Sequence, residues 1–351
     1  MAVESELVFL TGATGFLGYL TLIQLLQAGH HVRAAVRSQS KIAKIKSAPS
    51  FKALASKGSS VEWVVVPDMT APGAYDEVVK GVTSIIHIAS PIPTFGAEPI
   101  PEAKLDEYFV QQPRQATLGL LEAAQKAGTV KRIVKTSSIV AIVPFEYYLG
   151  QGADYTRDFD ANTRIPVAKG PFPFGEFQAY SAGKAGALNA AEEWIESHQP
   201  SFDLVTIFPG WIFGRDELVT DVETLRTGST NAVLLGLILG NQTDQPGNSS
   251  VVYGEDAARM HVMALNSSKV NGGESFIAAT EFQWNETPEI LKRSFPKEVA
   301  EGKLSDNGQQ PTLIIKHPSE KSEEVFGFKF TPFKNIVESV AQQYLDLLSK
   351  A

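Results

Sequence analysis

A chain of 351 residues, 43% hydrophobic and 20% charged, is a folded globular protein long enough for one large domain or two that share a core. Its net charge of −8 denies it the basic surface a nucleic acid needs, and its lack of cysteine excludes disulfides, thiolate metal sites and cysteine nucleophiles. The opening MAVESE carries Glu4 and Glu6 where a secretory signal wants lysine or arginine, and polar residues and glycines break the apolar stretch behind it. The expectation is a soluble cytoplasmic protein without a membrane span, metal or nucleic-acid partner.

In chain order, LVFL from Leu7 predicts a strand and YLTLIQLLQAG a helix, with Gly12, Gly15 and Gly18 between them as G-x-x-G-x-x-G. The first glycine permits a tight turn, the second lets backbone approach a pyrophosphate, and the third lets the helix pack on the sheet. The helix start then turns free N–H groups and its positive dipole end toward the phosphates. Thr14, Phe16 and Leu17, interleaved with these glycines, join the expected dinucleotide contacts.

The next strand is HHVRAAV from His30, followed by helix-like SKIAKIKSA. Dinucleotide folds that take NAD place an acidic residue here for the ribose hydroxyls, yet no aspartate or glutamate occurs between Glu6 and Glu62. The same interval holds Arg33, Arg37, Lys41, Lys44, Lys46, Lys52 and Lys57, a local +7. Most of these lysines read as a solvated helix face. Arg37, just past the strand, and Lys41, a turn further, stand where a 2′-phosphate would lie, which predicts NADP(H) as cofactor.

VEWVVV from Val61 is the third strand. Asp68 at its end reads either as an adenine hydrogen-bond partner or as a turn residue, and Met69 accompanies it. PGAYDEVVKG is helix-like, and SIIHIA from Ser84 is the fourth strand. In HIASP, His87 reads as a satisfied strand-end histidine, while Ala89, Ser90 and Pro91 border the dinucleotide. TLGLLEAAQKAG predicts a helix, RIVKTSS a fifth strand and LVTIF a sixth. Near-continuous apolar strands joined by helices mean a doubly wound parallel α/β sheet of Rossmann type rather than a (β/α)₈ barrel, which would not put this glycine pattern at its first strand.

Ser138, with Thr136 and Ser137 before it, ends the fifth strand at the carboxyl edge of the sheet, where ligands bind in such folds. In AYSAGKAGALNAAEEW, Tyr180 and Lys184 are four apart on one helix face. A tyrosine ordinarily titrates near 10 and needs a neighbouring cation to favour its phenolate, which Lys184 would supply. Ser138 would hold a substrate oxygen while Tyr180 delivers a proton. Residues 144–178 carry eight aromatics and four prolines, and this insert and Trp211 suggest either a bulky, largely apolar or aromatic substrate or packing between two lobes.

With TGATGFLG, TSS and YSAGK in this order, the chain resembles the extended short-chain dehydrogenase/reductases over nearly its whole length. VRAAVRS, IIHIASP, TLGLLEAA and VYGEDAARMHVMAL look most like the dihydroflavonol-4-reductase-like group, with its fungal and yeast aldehyde and ketone reductases and cinnamoyl-CoA reductases. The resemblance implies Ser138, Tyr180 and Lys184 as catalytic triad, with Ser137 the lesser of the two serines. It implies that Pro209, with Gly210, lies by the nicotinamide in FPGWIFG. It also implies a smaller substrate lobe: residues 1–210 bind the dinucleotide, 211–351 mainly the substrate, and 250–280 return to the first core. Gly119 stands where many relatives have an asparagine, which puts that group's proton relay in doubt.

The activity implied is NADPH-dependent reduction of a ketone or aldehyde by a monomer or homodimer. Two rivals are a sugar-nucleotide epimerase or dehydratase, which typically wants an acidic residue after the second strand, and a non-catalytic dinucleotide sensor, which generally loses the Tyr–Lys pair.

Overall fold

The computed structural model describes residues 7–95 and 98–350; the acidic N-terminal residues lie outside them. Strands β1 (Leu7–Thr11), β2 (His31–Val36), β3 (Val61–Val65), β4 (Ser84–His87), β5 (Arg132–Thr136) and β6 (Asp203–Pro209) all run parallel. β7 (Trp211–Phe213), β8 (Gly247–Asn248) and β9 (Ser250–Tyr253) follow, then β10 (Ser275–Ala278), β11 (Thr280–Glu281) and β12 (Thr312–Leu313). The large sheet has seven strands in the order β10-β6-β5-β4-β1-β2-β3. This open, doubly wound sheet is the expected Rossmann type. β7, β9 and β11 form one small sheet, and β8 with β12 another.

Alternate residues of the strands enter opposite cores, as a period of two requires. Val8, Leu10, Ile86, Val134 and Val205 face the first helix (Phe16–Gln27) and the helix Gly254–Met263, whereas Phe9, Ile85, Ile133 and Leu204 face the opposite layer with Leu120 and Trp194. A third core gathers Phe213, Leu234, Trp284 and Ile336 beneath the last helix, Phe333–Leu348. Residues 254–278 thus return to the large sheet, supplying its edge strand and a helix against the first one.

The expected helix at 72–81 is instead a series of turns. Gly73 and Gly81, both at positive φ, bracket the segment, and bonds such as Asp76 N–H to the Gly73 carbonyl (3.0 Å) close three-residue steps. The aromatic insert is largely irregular, broken by one turn of helix, Phe145–Tyr148. Its rings divide. Tyr147, Tyr155 and Phe159 pack on one another, 4.9–5.1 Å between centroids, and Phe174 is 55% exposed.

A single ion pair fastens the centre of the sheet to its margin. The buried Arg132 guanidinium donates twice to Asp203 at 2.7 Å, and its remaining nitrogen donates to the Ala264 carbonyl at 2.9 Å. Asp203→Ala would leave that guanidinium buried without a counter-charge. Because Asp203 is itself 34% exposed, we expect a loss of about 2 kcal/mol, below the full value for a buried pair. The urea midpoint measures it.

Candidate active site

The strand order reverses between β1 and β4, and the crevice beyond their carboxyl ends is where an open α/β sheet binds ligands. Here the chain runs bare. Gly12 adopts φ +84°, and a Cβ on it would stand 2.9 Å from the Ala89 nitrogen. A Cβ on Gly18 would strike the Gly12 carbonyl outright. A Cβ on Gly15 would find only the Gly12 oxygen, at 3.6 Å. The fold itself therefore demands two of the three glycines, and the third leaves room over the N-terminus of the first helix.

Thr11 joins the two strand ends. Its hydroxyl oxygen accepts from the Ile88 and Ala89 N–H groups, 3.1 Å each, so its proton donates to His87 Nδ1 at 2.9 Å. Burial pulls the His87 imidazole down to about 3, with Lys135 and Lys184 adding repulsion. His87 is a neutral, satisfied strand-end histidine.

The crevice opens into a cleft of about 470 Å³. Gly12, Thr14, Gly15, Phe16, Leu17 and Gly18 line it, and so do Arg37, Lys41, Met69, Ala89 and Ser90. Thr136, Ser137, Ser138, Tyr180, Lys184, Pro209 and Gly210 complete the expected set on its walls. Two expected contacts are not among them. Asp68 is turned into its own loop, where Oδ1 accepts from the Thr70 N–H at 2.8 Å and hydroxyl at 2.6 Å, bonds that hold its carboxyl below the usual range. Pro91 only follows Ser90, whose hydroxyl reaches the Pro91 carbonyl at 3.4 Å. Thr136 lines the cleft, but its hydroxyl already meets His261 Nε2 at 2.7 Å.

Of the seven basic residues after the first helix, Arg33 is occupied structurally by Glu62 (2.8 Å) and by the Val78 and Lys80 carbonyls. Arg37 and Lys41 face the cleft and make no ion pair among the described residues. Ser137 Oγ is buried there without a hydrogen-bond partner. A backbone cradle, two unengaged cations and an orphaned hydroxyl fit a phosphorylated dinucleotide.

Tyr180 and Lys184 lie in the helix Glu176–His198. A Cβ on Gly183 would overlap the Phe109 carbonyl, so the bare turn in YSAGK seats this helix against the π-helical segment Asp106–Gln111. Ser181 Oγ donates to the Val140 carbonyl at 3.0 Å and draws the helix to the loop after β5. Ser138 caps that loop, accepting from the Val140 N–H at 3.4 Å.

The electrostatics differ from the simple expectation. Burial dominates and pushes the Tyr180 phenol up to about 12, partly offset by its hydrogen bond with Ser138. Lys184 Nζ stands 5.5 Å from the tyrosine ring centroid, and burial pulls that ammonium down to about 8. Burial, eased by Ser138, sets the direction of the Tyr180 shift, rather than Lys184.

Beyond Ser138 and Tyr180 a second cavity, about 360 Å³, is walled by Phe95, Tyr148, Phe177 and Trp211 and floored by Asn248 and Gln310. Of this lining, Ser138 and Tyr180 were expected as catalytic residues, Trp211 and the insert's Tyr148 and Phe177 only as aromatics that suggest a bulky substrate, and Phe95, Asn248 and Gln310 not at all. Glu176 was missed altogether. Its carboxylate accepts from the Thr94 and Ile100 N–H groups and the Thr94 hydroxyl, fastening the loop that carries Phe95 to the tyrosine helix. Its only sequence signal is an acid in a first helical turn. Gly119, the departure noted above, sits where a Cβ would touch only the Tyr75 ring, at 4.0 Å.

The model of the NAD dependent epimerase/dehydratase family matches residues 8–279. The chain belongs to this family. Ketoreductase CTB6 of Cercospora beticola is 35% identical over 98% of this chain and 96% of its own. The NAD-dependent epimerase/dehydratase FUM13 of Gibberella moniliformis is 30% identical, covering 99% and 98%. Among solved structures, yeast methylglyoxal/isovaleraldehyde reductase Gre2 complexed with NADPH superposes with a TM-score of 0.80 at 22% identity, covering 98% of this chain and all of that one, a likeness of fold. Among the described residues no helix is long and apolar enough to cross a membrane.

The buried lysines of this family member set a pH dependence of its stability. Lys135, hydrogen-bonded to the Ala187 carbonyl at 3.2 Å, is pulled by burial to about 7. Lys184 is pulled to about 8, both from 10.5. Between those values and the ordinary one, the unfolded chain binds more protons than the folded one, so stability rises with pH. Tyr180, raised from 10 to about 12, reverses the trend above 10. We expect the ligand-free thermal midpoint to rise from about pH 7 to 10, and Lys135→Met to flatten the start of that rise. A midpoint falling across the window contradicts it.

Proposed function

We propose that this protein is an NADPH-dependent carbonyl reductase that converts a ketone or aldehyde to an alcohol. One observation carries the reading. Ser138 and Tyr180 line both the glycine-backed cleft and the aromatic cavity, so one carbonyl group can meet a dinucleotide on one side and a proton donor on the other. The names of similar ketoreductases and the NADPH held by Gre2 support it. NADP(H) over NAD(H) rests on Arg37 and Lys41 in the cleft and on the lack of any acid between Glu6 and Glu62.

Gly12, Gly15 and Gly18 would cradle the pyrophosphate against the first helix, Arg37 and Lys41 the 2′-phosphate, and Ser137, Pro209 and Gly210 the nicotinamide end. Held there, the dinucleotide would supply the hydride for the carbonyl carbon. Ser138 donates a hydrogen bond to the carbonyl oxygen and fixes it beside Tyr180. The Tyr180 phenol, kept protonated by burial, gives its proton to that oxygen as negative charge develops. Lys184 stabilises the resulting phenolate, passes a proton to it to restore the phenol, and takes a replacement proton from solvent. The aromatic walls exclude water and hold an apolar frame.

No lysine, arginine, aspartate or glutamate lines the aromatic cavity, which disfavours a sugar diphosphate there and hence the epimerase or dehydratase alternative. The same reading divides the chain into a dinucleotide part, residues 1–210 with 250–280, and a substrate lobe from 211. It places the protein in the dihydroflavonol-4-reductase-like group. A cysteine-free chain fits a reducing cytoplasm, with the protein acting as monomer or homodimer.

Tyr180→Phe should cut kcat for an aryl ketone at least about a hundredfold while NADPH still binds, read by absorbance at 340 nm and by fluorescence titration. Tight NADPH binding without turnover on any carbonyl in the wild type would favour the epimerase or sensor instead. Arg37→Ala should reduce the kcat/KM preference for NADPH over NADH about tenfold, since a guanidinium–phosphate contact is lost.

A further inference from the structure

Two residues that line the aromatic cavity carry unused donors. The Tyr148 hydroxyl and the Trp211 indole N–H are buried, and among the described residues neither has a hydrogen-bond partner. Both residues line the cavity that Ser138 and Tyr180 share with the dinucleotide cleft. Their rings are held firmly. Tyr148 meets Phe177 edge-on at 5.2 Å, while Trp211 stacks on Phe213 at 5.9 Å and touches Phe95 and Trp284 at 6.1 and 6.4 Å. A buried donor without an acceptor costs free energy, and fixed rings cannot swing out to recover it. Burial also raises the Tyr148 phenol above its ordinary range, which keeps it a donor.

Resting on the reductase reading, we propose that Tyr148 and Trp211 determine specificity and that the substrate is an uncharged aryl or similarly apolar ketone bearing a second neutral oxygen acceptor. The reacting oxygen is already served by Ser138 and Tyr180, so these donors address another atom of the same molecule. That atom is neutral because the cavity offers no cation to a carboxylate or phosphate. A second keto, ester or ether oxygen meets both conditions. A plain aryl alkyl ketone would leave the two donors unpaired, and a site that hydrogen-bonds a substrate group discriminates against the analogue lacking it.

The test compares aryl ketones of matched length, with and without a second keto oxygen at increasing distance from the aryl carbonyl, in wild type, Tyr148→Phe and Trp211→Phe. The readout is the kcat/KM ratio between paired substrates within one enzyme, which cancels losses of folded protein. A diketone is intrinsically more electrophilic, and comparing the ratio between variants cancels that too. We expect at least one diketone to be preferred in wild type, and that preference to fall about tenfold in each variant. A ratio unmoved in both variants, or wild type preferring the plain ketone throughout, overturns the proposal. Absence of turnover on every ketone, plain ones included, is the separate failure of the reductase reading and removes this proposal with it.

Discussion

Everything in this site depends on how closely three pieces of backbone approach one another at the reversal of the sheet. Gly18 brings the first helix onto the Gly12 carbonyl, and Gly12 brings the turn onto Ala89, so there is no space for a side chain at either contact. Thr11 then joins β1 to the end of β4 through both backbone N–H groups and His87. With those distances set, the helix N-terminus points along one side of the cleft and β5 along the other. Any side chain at Gly12 or Gly18 would open this junction and move the cleft floor relative to Ser138.

The catalytic wall is held by a second set of close contacts, independent of the first. Gly183 lets the helix Glu176–His198 press against Phe109, Ser181 ties it to Val140, and Glu176 holds the loop around Thr94. These contacts place a phenol, an ammonium and a hydroxyl together in a buried space. The cost is electrostatic. Desolvation drives Tyr180 up to about 12 and Lys184 down to about 8, so the phenol stays protonated while the lysine remains largely cationic at pH 7. A neutral phenol is the form that donates a proton, which matches the reductive direction.

On the proposed reading, substrate selection falls to a different part of the molecule. The aromatic cavity draws on the loop near Phe95, the insert at Tyr148 and Phe177, the strand β7 at Trp211 and the β8–β12 edge at Asn248. These segments are far apart in sequence and meet only in the folded chain. Variation in those segments can alter the substrate without disturbing the dinucleotide cradle or the proton donor.

The sequence by itself marked the glycine run and the Tyr180–Lys184 pair, because both are local. Gly12, Gly15 and Gly18 fall in one turn, Tyr180 and Lys184 share one helix face, and Arg37 follows one strand, so a few residues carry the whole signal. The doubly wound parallel sheet was legible for the same reason, through apolar runs separated by helices. Only the tertiary structure decided matters of long-range contact. It turned Asp68 into its own loop, occupied Thr136 with His261 and resolved 72–81 into turns. It divided the insert's aromatics between packing (Tyr147, Phe159) and the cavity (Tyr148, Phe177), although their composition is uniform. Thr136 takes its partner from 125 residues away, and no spacing along the chain encodes which neighbour will arrive there, whereas Asp68 and 72–81 are settled by backbone and side-chain partners within a few residues that compete with the pattern read from the apolar runs.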